Sequence, residues 1–493
     1  MSLARDLAWQ NLELVHQASI SHQFARYALG LSYESLPPDV VHMAKRILLD
    51  TLTCAIGASE APGRPMIEDV IKEIGGAPES TIFGSGLKTS AINATLINSF
   101  MVRYLDTNDM GGGGHNNEAV PSILAVAEKM KASGKDFLTS LVISYELGFR
   151  VAESVIGPNF EARGWNIDCR VGLSQPAALG RLLGLNEEQI ANAIGLAGAH
   201  APSLGILDCH REEMAMGKDM RFAFAAQHAI ECCQLAKHGV TGFVRVVEGD
   251  KGFAQVLLNR EMDLEKLVDF SGWRILNTSF KTICMNWTTN AHILASLALV
   301  KEHDIKPEEV ARVRIRTSPR DAAHVTTFSR KYPKNAESAT HSAYFGNAIV
   351  IKERALGPEQ LREEKFTDPV VLDLIEKMTV EADHSFPERG PGGISEIWTK
   401  DGRHLEKRLE VPHGHISDPM SEVEIEDKFR RYAGIFIAPD KVRKLIDMAR
   451  NVEKLGSVGE LTRECSPITH GGGTMNRDEA VARAMEVFDG GSN

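Results

Sequence analysis

Glu309-Val310-Ala311-Arg312-Val313-Arg314-Ile315-Arg316-Thr317 is the stretch on which the reading of the fold turns. Apolar Val310, Val313 and Ile315 alternate with charged residues, the period of a half-buried strand. Upstream the texture is helical. Pro37-Pro38-Asp39 marks a helix start, Val40, Val41, Met43, Ala44, Ile47, Leu48 and Leu52 follow at near-helical spacing, and Gly57 closes the run. Similar runs over 91–102, 120–130, 137–155, 175–183, 187–199 and 223–236 are broken by Gly or Pro. Their Ala and Gly content predicts closely packed, buried helices. Downstream, 396–411 reads as strand, a Lys400-Asp401-Gly402 turn, and strand. From Ser421 helices return: Met420-Ser421-Glu422-Val423-Glu424 has the form of a capped start, and 439–452 is a second amphipathic run. The expectation is a mainly α protein, with an α+β segment beginning near residue 277 inserted into an all-helical domain.

The chain has 493 residues, beyond the roughly 250–300 that one hydrophobic core serves, so two domains are expected. Lys and Arg number 55 against 66 Asp and Glu, a net charge of −11, with no run of like charges. That excludes a sequence-independent grip on nucleic acid or an anionic membrane. The start, Met1-Ser2-Leu3-Ala4-Arg5-Asp6, is polar and charged, and no apolar stretch reaches the roughly 18 residues of a membrane span. A cytoplasmic location is expected by default. The seven cysteines are scattered without a CxxC pair, so they are read as reduced thiols with neither a disulfide framework nor a thiolate zinc site. Asp208-Cys209-His210 has ligand types but lacks an HExxH-like partner, and no GxGxxG, GxSxG, HRD or GxxxxGK[ST] pattern occurs. No metal and no cofactor are expected.

Four clusters carry candidate chemistry. Arg103-Tyr104-Leu105-Asp106-Thr107-Asn108-Asp109-Met110 runs into four glycines, 111–114, and then His115-Asn116-Asn117-Glu118, all between two apolar helices. Glycines permit close backbone approach and expose N–H donors, and a following helix start favours an anion. The same residue types also suit a polar loop in which Asp109 or Asn117 caps a helix. Lys218 and Arg221 lie one turn apart at a helix start, able to meet one carboxylate-bearing ligand or to pair with Asp219 or Glu213. Lys281, in Asn277-Thr278-Ser279-Phe280-Lys281-Thr282, is at risk of burial, where its pKa falls and it needs an anion, whether substrate or an internal acid. Finally, Ala339-Thr340-His341-Ser342-Ala343-Tyr344 sets Tyr344 three residues after His341, so the two side chains share a face if the segment is helical.

In this order the clusters resemble the MmgE/PrpD family of 2-methylcitrate dehydratase and cis-aconitate decarboxylase, over about Ser19 to Glu464. The similarity includes Arg103-Tyr104-Leu105-Asp106, Leu182-Leu183-Gly184-Leu185, His238-Gly239-Val240-Thr241-Gly242, His341-Ser342-Ala343-Tyr344, and Pro412-His413-Gly414 followed by Pro419. The resemblance implies a large helical domain built from 1–276 and 415–464 and a smaller α+β lid domain at 277–414. The resemblance also implies a homodimer, while 465–493, with Gly471-Gly472-Gly473 and a short amphipathic pattern over 477–488, reads from its residues as a peripheral tail. It maps the catalytic aspartate, loop histidine, helix-start lysine, lid lysine and tyrosine onto Asp106, His115, Lys218, Lys281 and Tyr344. Asp109, Gly113, Gly114, Glu118, Arg221 and His341 are the expected substrate-binding residues, and a small polycarboxylate the expected substrate.

Departures bear on the reaction. Met110 replaces a decarboxylase threonine, no histidine stands in Trp165-Asn166-Ile167-Asp168, and the loop reads His115-Asn116-Asn117-Glu118, with an acid last as in the dehydratases. The expectation is a metal-independent hydro-lyase of the 2-methylcitrate dehydratase kind. In it His115 or Tyr344 handles the proton next to a carboxylate, while Asp106, supported by Glu118, orients His115 or protonates a departing hydroxyl. The alternatives are a dicarboxylate epimerase or isomerase, a cis-aconitate-type decarboxylase, and a catalytically silent family member.

Overall fold

The computed structural model describes residues 2–112, 114–208 and 213–466; Gly113 and the amphipathic pattern over 477–488 lie outside them. The helices that build and support the central cavity are, in chain order, α1 (Ile20–Gly30), α2 (Pro38–Gly57), α3 (Ala91–Tyr104), α4 (Val120–Lys129) and α5 (Gly134–Glu153). They continue with α6 (Val171–Leu182), α7 (Glu187–Ala199) and α8 (Gly217–Lys237). Their starts follow capping chemistry. Ser90 accepts from the Asn93 N–H, Ser133 from that of Asp136, and Asn186 closes a capping box with Gln189. Replacing one such cap by Ala costs about 1 kcal/mol.

Helix α3 is buried on nearly every face, from Ala91 to Tyr104, because α8, α4 and α2 pack around it. Its small residues let those backbones approach, as their Ala content suggested. α5, α6 and α7 stack in sequence, with α8 against both α6 and α7. After the α+β part, α12 (Glu422–Ala433), capped by Ser421 with Glu424, returns to α2, followed by α13 (Pro439–Arg450).

Between them lie α9 (Trp287–Glu302), α10 (Pro319–Val325), α11 (Ala343–Glu353) and a four-stranded sheet ordered β2-β1-β3-β4. The strands are β1 (Val310–Thr317), β2 (Met378–Ala382), β3 (Gly393–Thr399) and β4 (His404–Leu409). β1 runs parallel to β2 and antiparallel to β3, and β3 antiparallel to β4. Val313 and Ile315 of β1 and Ile397 of β3 are fully buried, and α9 packs on the sheet. On the other face Arg314 donates to the Glu396 carboxylate at 2.7 Å. The expected strand over 309–317 and the hairpin about Lys400-Asp401-Gly402 are both present. β2 escaped the sequence reading: five residues, exposed at most positions, give no alternation to find.

One backbone junction ties this α+β part to the glycine-rich loop, and a second closes its own two ends on each other. Met110 and Ser279 exchange N–H···O bonds of 2.9 and 2.8 Å. The Phe280 N–H then donates to Gly414 O at 2.9 Å. At Gly414, φ is +98° and a Cβ would lie 2.0 Å from Phe280 O, so only glycine lets the Pro412-His413-Gly414 turn close on the residue before Lys281. No helix among the described residues is long and apolar enough to cross a membrane.

Candidate active site

The site grows from the end of α3. Arg103 occupies its last turn, and Asp106, three residues on, adopts a left-handed φ of +48°. That kink stops the helix and turns the carboxylate back beneath it. Five side chains converge there. Arg103 Nη1 is 2.8 Å and Lys281 Nζ 2.5 Å from Asp106 Oδ1, while Lys218 Nζ lies 3.3 Å and His341 Nε2 3.5 Å from Oδ2. His115 Nε2 stands 4.0 Å from Oδ1. Lys281 also donates to the Asp106 backbone carbonyl at 2.8 Å. Asp106, Lys218 and Lys281 are at most 1% exposed in their side chains.

One carboxylate therefore serves three cations. Burial alone would raise the Asp106 pKa, but Arg103, Lys281 and Lys218 outweigh it and hold the group well below the carboxylate range. This suits it to orient cations and imidazoles rather than to give up a proton. Burial pushes Lys281 down to about 8 despite Asp106. Glu118, 3.4 Å from Arg103 Nε, is raised by burial to about 8, which favours its uncharged form. Cations exceed ionised acids here, within a net-acidic chain, and an incoming carboxylate is drawn to that excess.

The imidazoles are fixed in matching tautomers. His115 Nδ1 lies 2.5 Å from Asp109 O, and His341 Nδ1 3.1 Å from Glu337 O. Carbonyl oxygens only accept, so each Nδ1 carries hydrogen and each Nε2 a lone pair. Asn286 agrees: its Oδ1 accepts from the Thr288 N–H, so its Nδ2 donates to His341 Nε2 at 3.0 Å. Burial first, then Lys281 and Arg103 for His115 and Lys218 for His341, hold both rings well below the usual imidazole pKa. Both are neutral bases.

A cavity of about 670 Å³ opens above this floor, lined by Arg103, Gly114, His115, Arg221 and His341, with Asn286 and Trp287 from the α+β side. Lys218, Lys281 and Asp106 sit just behind the lining. Arg221 pairs with Asp168 at 2.8 Å, so the two helix-start cations of α8 go to different acids. Lys218 divides between Asp106 and Asp219, the latter at 3.2 Å.

Several expected residues take other positions. Asp109 does not line the cavity: it accepts from Tyr145 Oη at 2.7 Å and the Asn117 N–H at 3.2 Å, and burial raises it to about 7. Glu118 likewise lies behind, accepting from Asn108 Nδ2 at 3.1 Å. Two of the expected backbone donors are spent internally, since the Gly111 and Gly114 N–H groups bond each other's carbonyls at 2.9 and 3.1 Å. The glycines answer instead to Phe149, whose ring lies 2.2 Å from a Cβ built on Gly111. Tyr344 is half-buried outside the cavity lining, with Lys331 Nζ 5.7 Å from its ring centroid. His341 precedes the cap Ser342 and is not helical, so the three-residue spacing does not place the two on one face.

Residues missed in the sequence include Arg103, His324, Arg320 and Arg389 on the cavity wall. The Arg103 to Asp106 spacing, and that of Arg320 and His324 on α10, were available signals. Another is the buried pair Lys428 and Asp50, 2.6 Å apart, in which Lys428 also donates to Thr107 O at 2.6 Å. Lys428 and Asp50 stand 378 residues apart in the chain. Among the described residues the one His/Cys/Asp/Glu group close enough to hold a metal ion is Glu396, His404 and Glu406, on the sheet away from the cavity. Arg314 and Arg316 already neutralise Glu396 there.

Comparison with known proteins adds an independent view. Residues 22–265 match the MmgE/PrpD N-terminal domain and residues 285–454 the MmgE/PrpD C-terminal domain. Cis-aconitate decarboxylase of Homo sapiens is 24% identical over 464 residues, covering 90% of this chain and 94% of that protein. A cis-aconitate decarboxylase-like protein of Aspergillus oryzae is 23% identical, covering 90% and 97%. A mitochondrial 2-methylcitrate dehydratase of Yarrowia lipolytica is 24% identical, covering 76% of each chain.

Proposed function

Since the chain belongs to the MmgE/PrpD family, we propose that it is a lyase that moves the proton next to a carboxylate of a small polycarboxylate, most nearly a hydro-lyase of the 2-methylcitrate dehydratase kind. Relatives named as decarboxylases and dehydratases support lyase chemistry in general. The observation that carries the reading is the pair of neutral imidazoles, His115 and His341, whose Nε2 atoms stand 4.0 and 3.5 Å from the Asp106 carboxylate that gathers three cations.

Lys281, Lys218 and Arg103 stabilise the aci-carboxylate that forms as the adjacent C–H proton leaves. An imidazole Nε2 takes that proton, and the imidazolium so formed holds the one that a departing hydroxide needs, so that water leaves as the double bond closes. Decarboxylation makes the opposite demand. Loss of CO2 leaves a carbanion that needs an acid, and these two rings enter the reaction unprotonated. A second reading has its own support: two neutral bases in one cavity suit removal of a proton by one and its return by the other, as in an epimerase.

Incubation of 2-methylcitrate, citrate and aspartate-like or malate-like dicarboxylates in deuterated water separates the readings. Deuterium incorporation with loss of water marks the hydro-lyase, and incorporation without loss an epimerase. CO2 release marks a decarboxylase, and binding without exchange a silent protein. Full turnover in both His115→Ala and Lys218→Ala would remove this site from consideration. We include a homodimer in the proposal, supported by Phe224 and Leu235, three turns apart on one face of α8 and 56% and 47% exposed; sedimentation velocity tests it.

A further inference from the structure

We propose that Arg320 and Arg389 form a distal carboxylate subsite at the cavity mouth, and that Glu161 is its internal occupant, displaced when a substrate carboxylate enters. The inference rests on the polycarboxylate reading above and specifies it. Both arginines line the cavity that holds His115 and His341, yet they differ from the floor in exposure. Their side chains are 37% and 42% exposed, against 1% for Arg103 and 0% for Lys281. They mark the open end.

The two come from different elements. Arg320 opens α10, Arg389 lies in the 383–392 connection between β2 and β3, and the Arg320 N–H joins them by donating to Glu388 O at 3.1 Å. Both reach one oxygen, Glu161 Oε2, at 2.7 and 3.9 Å. Glu161 belongs to the helical side, in the turn Glu161–Arg163, so its carboxylate crosses the mouth to meet them. A carboxylate between two guanidinium groups is the arrangement these side chains impose on any carboxylate ligand. Glu161 is 30% exposed, so its carboxylate stands at the solvent edge, where it also accepts from Asn159 Nδ2 at 3.4 Å. Asp321, buried in the same wall, keeps the region from being a bare cationic patch. A ligand carboxylate therefore exchanges with Glu161 instead of adding beside it.

The consequence is a length rule. A substrate that spans from the Asp106 floor to the mouth must carry carboxylates at both ends, and a monocarboxylate gains nothing from the arginines.

Calorimetric titration of the full-length protein with citrate and with acetate tests this. Glu161→Gln tightens citrate binding by about three- to fivefold, because an exposed ion pair competes only weakly. Arg320→Gln and Arg389→Gln each weaken it by about tenfold, and acetate is indifferent to all three changes. The subsite is overturned if citrate fails to bind, if either arginine variant binds it like wild type, or if Glu161→Gln leaves it unchanged or weakens it. Lys281→Met, measured alongside by deuterium exchange, separates the two claims. If exchange depends on Lys281 while citrate ignores the arginines, the proposed chemistry stands and the subsite falls. If exchange is indifferent to Lys281, the floor reading falls too.

Discussion

Replacing Asp106 by Asn removes the one charge that three buried cations share while keeping the backbone. Its φ of +48° lies in the left-handed region, which Asn tolerates and Ala would enter only with strain. Breaking a buried ion pair by deleting one partner costs about 3–5 kcal/mol. The low end applies at Lys218, which keeps Asp219 3.2 Å away. Lys281 keeps only the Asp106 carbonyl, 2.8 Å away, and responds by losing its proton. In the parent its folded pKa is about 8, against about 10.4 unfolded. Below pH 8 both states then hold the proton, and this group adds no pH dependence to the parent's stability. Without the Asp106 anion, burial, Arg103 and Lys218 still push Lys281 down and nothing opposes them. Its folded pKa falls below 8, the unfolded variant binds one proton more than the folded one, and the variant gains stability as pH rises, at about 1.36 kcal/mol per unit. The destabilisation of Asp106→Asn therefore shrinks between pH 6 and pH 8 by up to about 2.7 kcal/mol. Urea unfolding of both proteins at half-unit steps measures it. A destabilisation that is flat or grows with pH refutes the assigned pairing. A slope that survives when Lys281→Met is added assigns it to another group.

The same groups shape the activity profile. An imidazole base must be unprotonated, and both rings are held well below the usual range, so kcat/KM falls on the acid side only below about 6.5. Lys281 must be charged, so activity declines as pH rises through about 8, and Lys281→Arg moves that limb upward while leaving the acid limb in place. Lys428→Met unpairs buried Asp50 and releases Thr107 O; it lowers stability by about 3–5 kcal/mol in thermal or urea unfolding and lowers kcat more than it raises KM. Tyr344→Phe keeps kcat and KM within about twofold, since the ring stands outside the cavity; a loss of a hundredfold in steady-state assays would return the tyrosine to the chemistry.

Much of the helical scaffold was legible because its signals are local. Pro38 opens α2, Ser421 with Glu424 opens α12, and the apolar period between such signals needs nothing distant to be read. The strand over 309–317 was legible for the same reason, and β2 was not, since a short parallel edge strand is specified by its partner. At the site, residue types and order, with the family resemblance, pointed to Asp106, His115, Lys218, Lys281 and Tyr344 as catalytic and to His341 among the binding residues. Which of them share a charge, and which atoms carry protons, depended on contacts across 112 residues from Lys218 to Asp106 and 175 from Lys281 to Asp106. Tertiary packing also moved residues out of the cavity. Asp109 turned to Tyr145, the Gly111 and Gly114 N–H groups turned on each other beneath Phe149, and Tyr344 fell outside because His341 lies before its helix begins. Sequence by itself determined most of the helices, the strands with clear alternation and the inventory of charged groups, since propensity, capping and composition act over a few residues. Only the tertiary structure decided protonation and partnership, because burial and Coulomb interaction depend on distance in space and not along the chain.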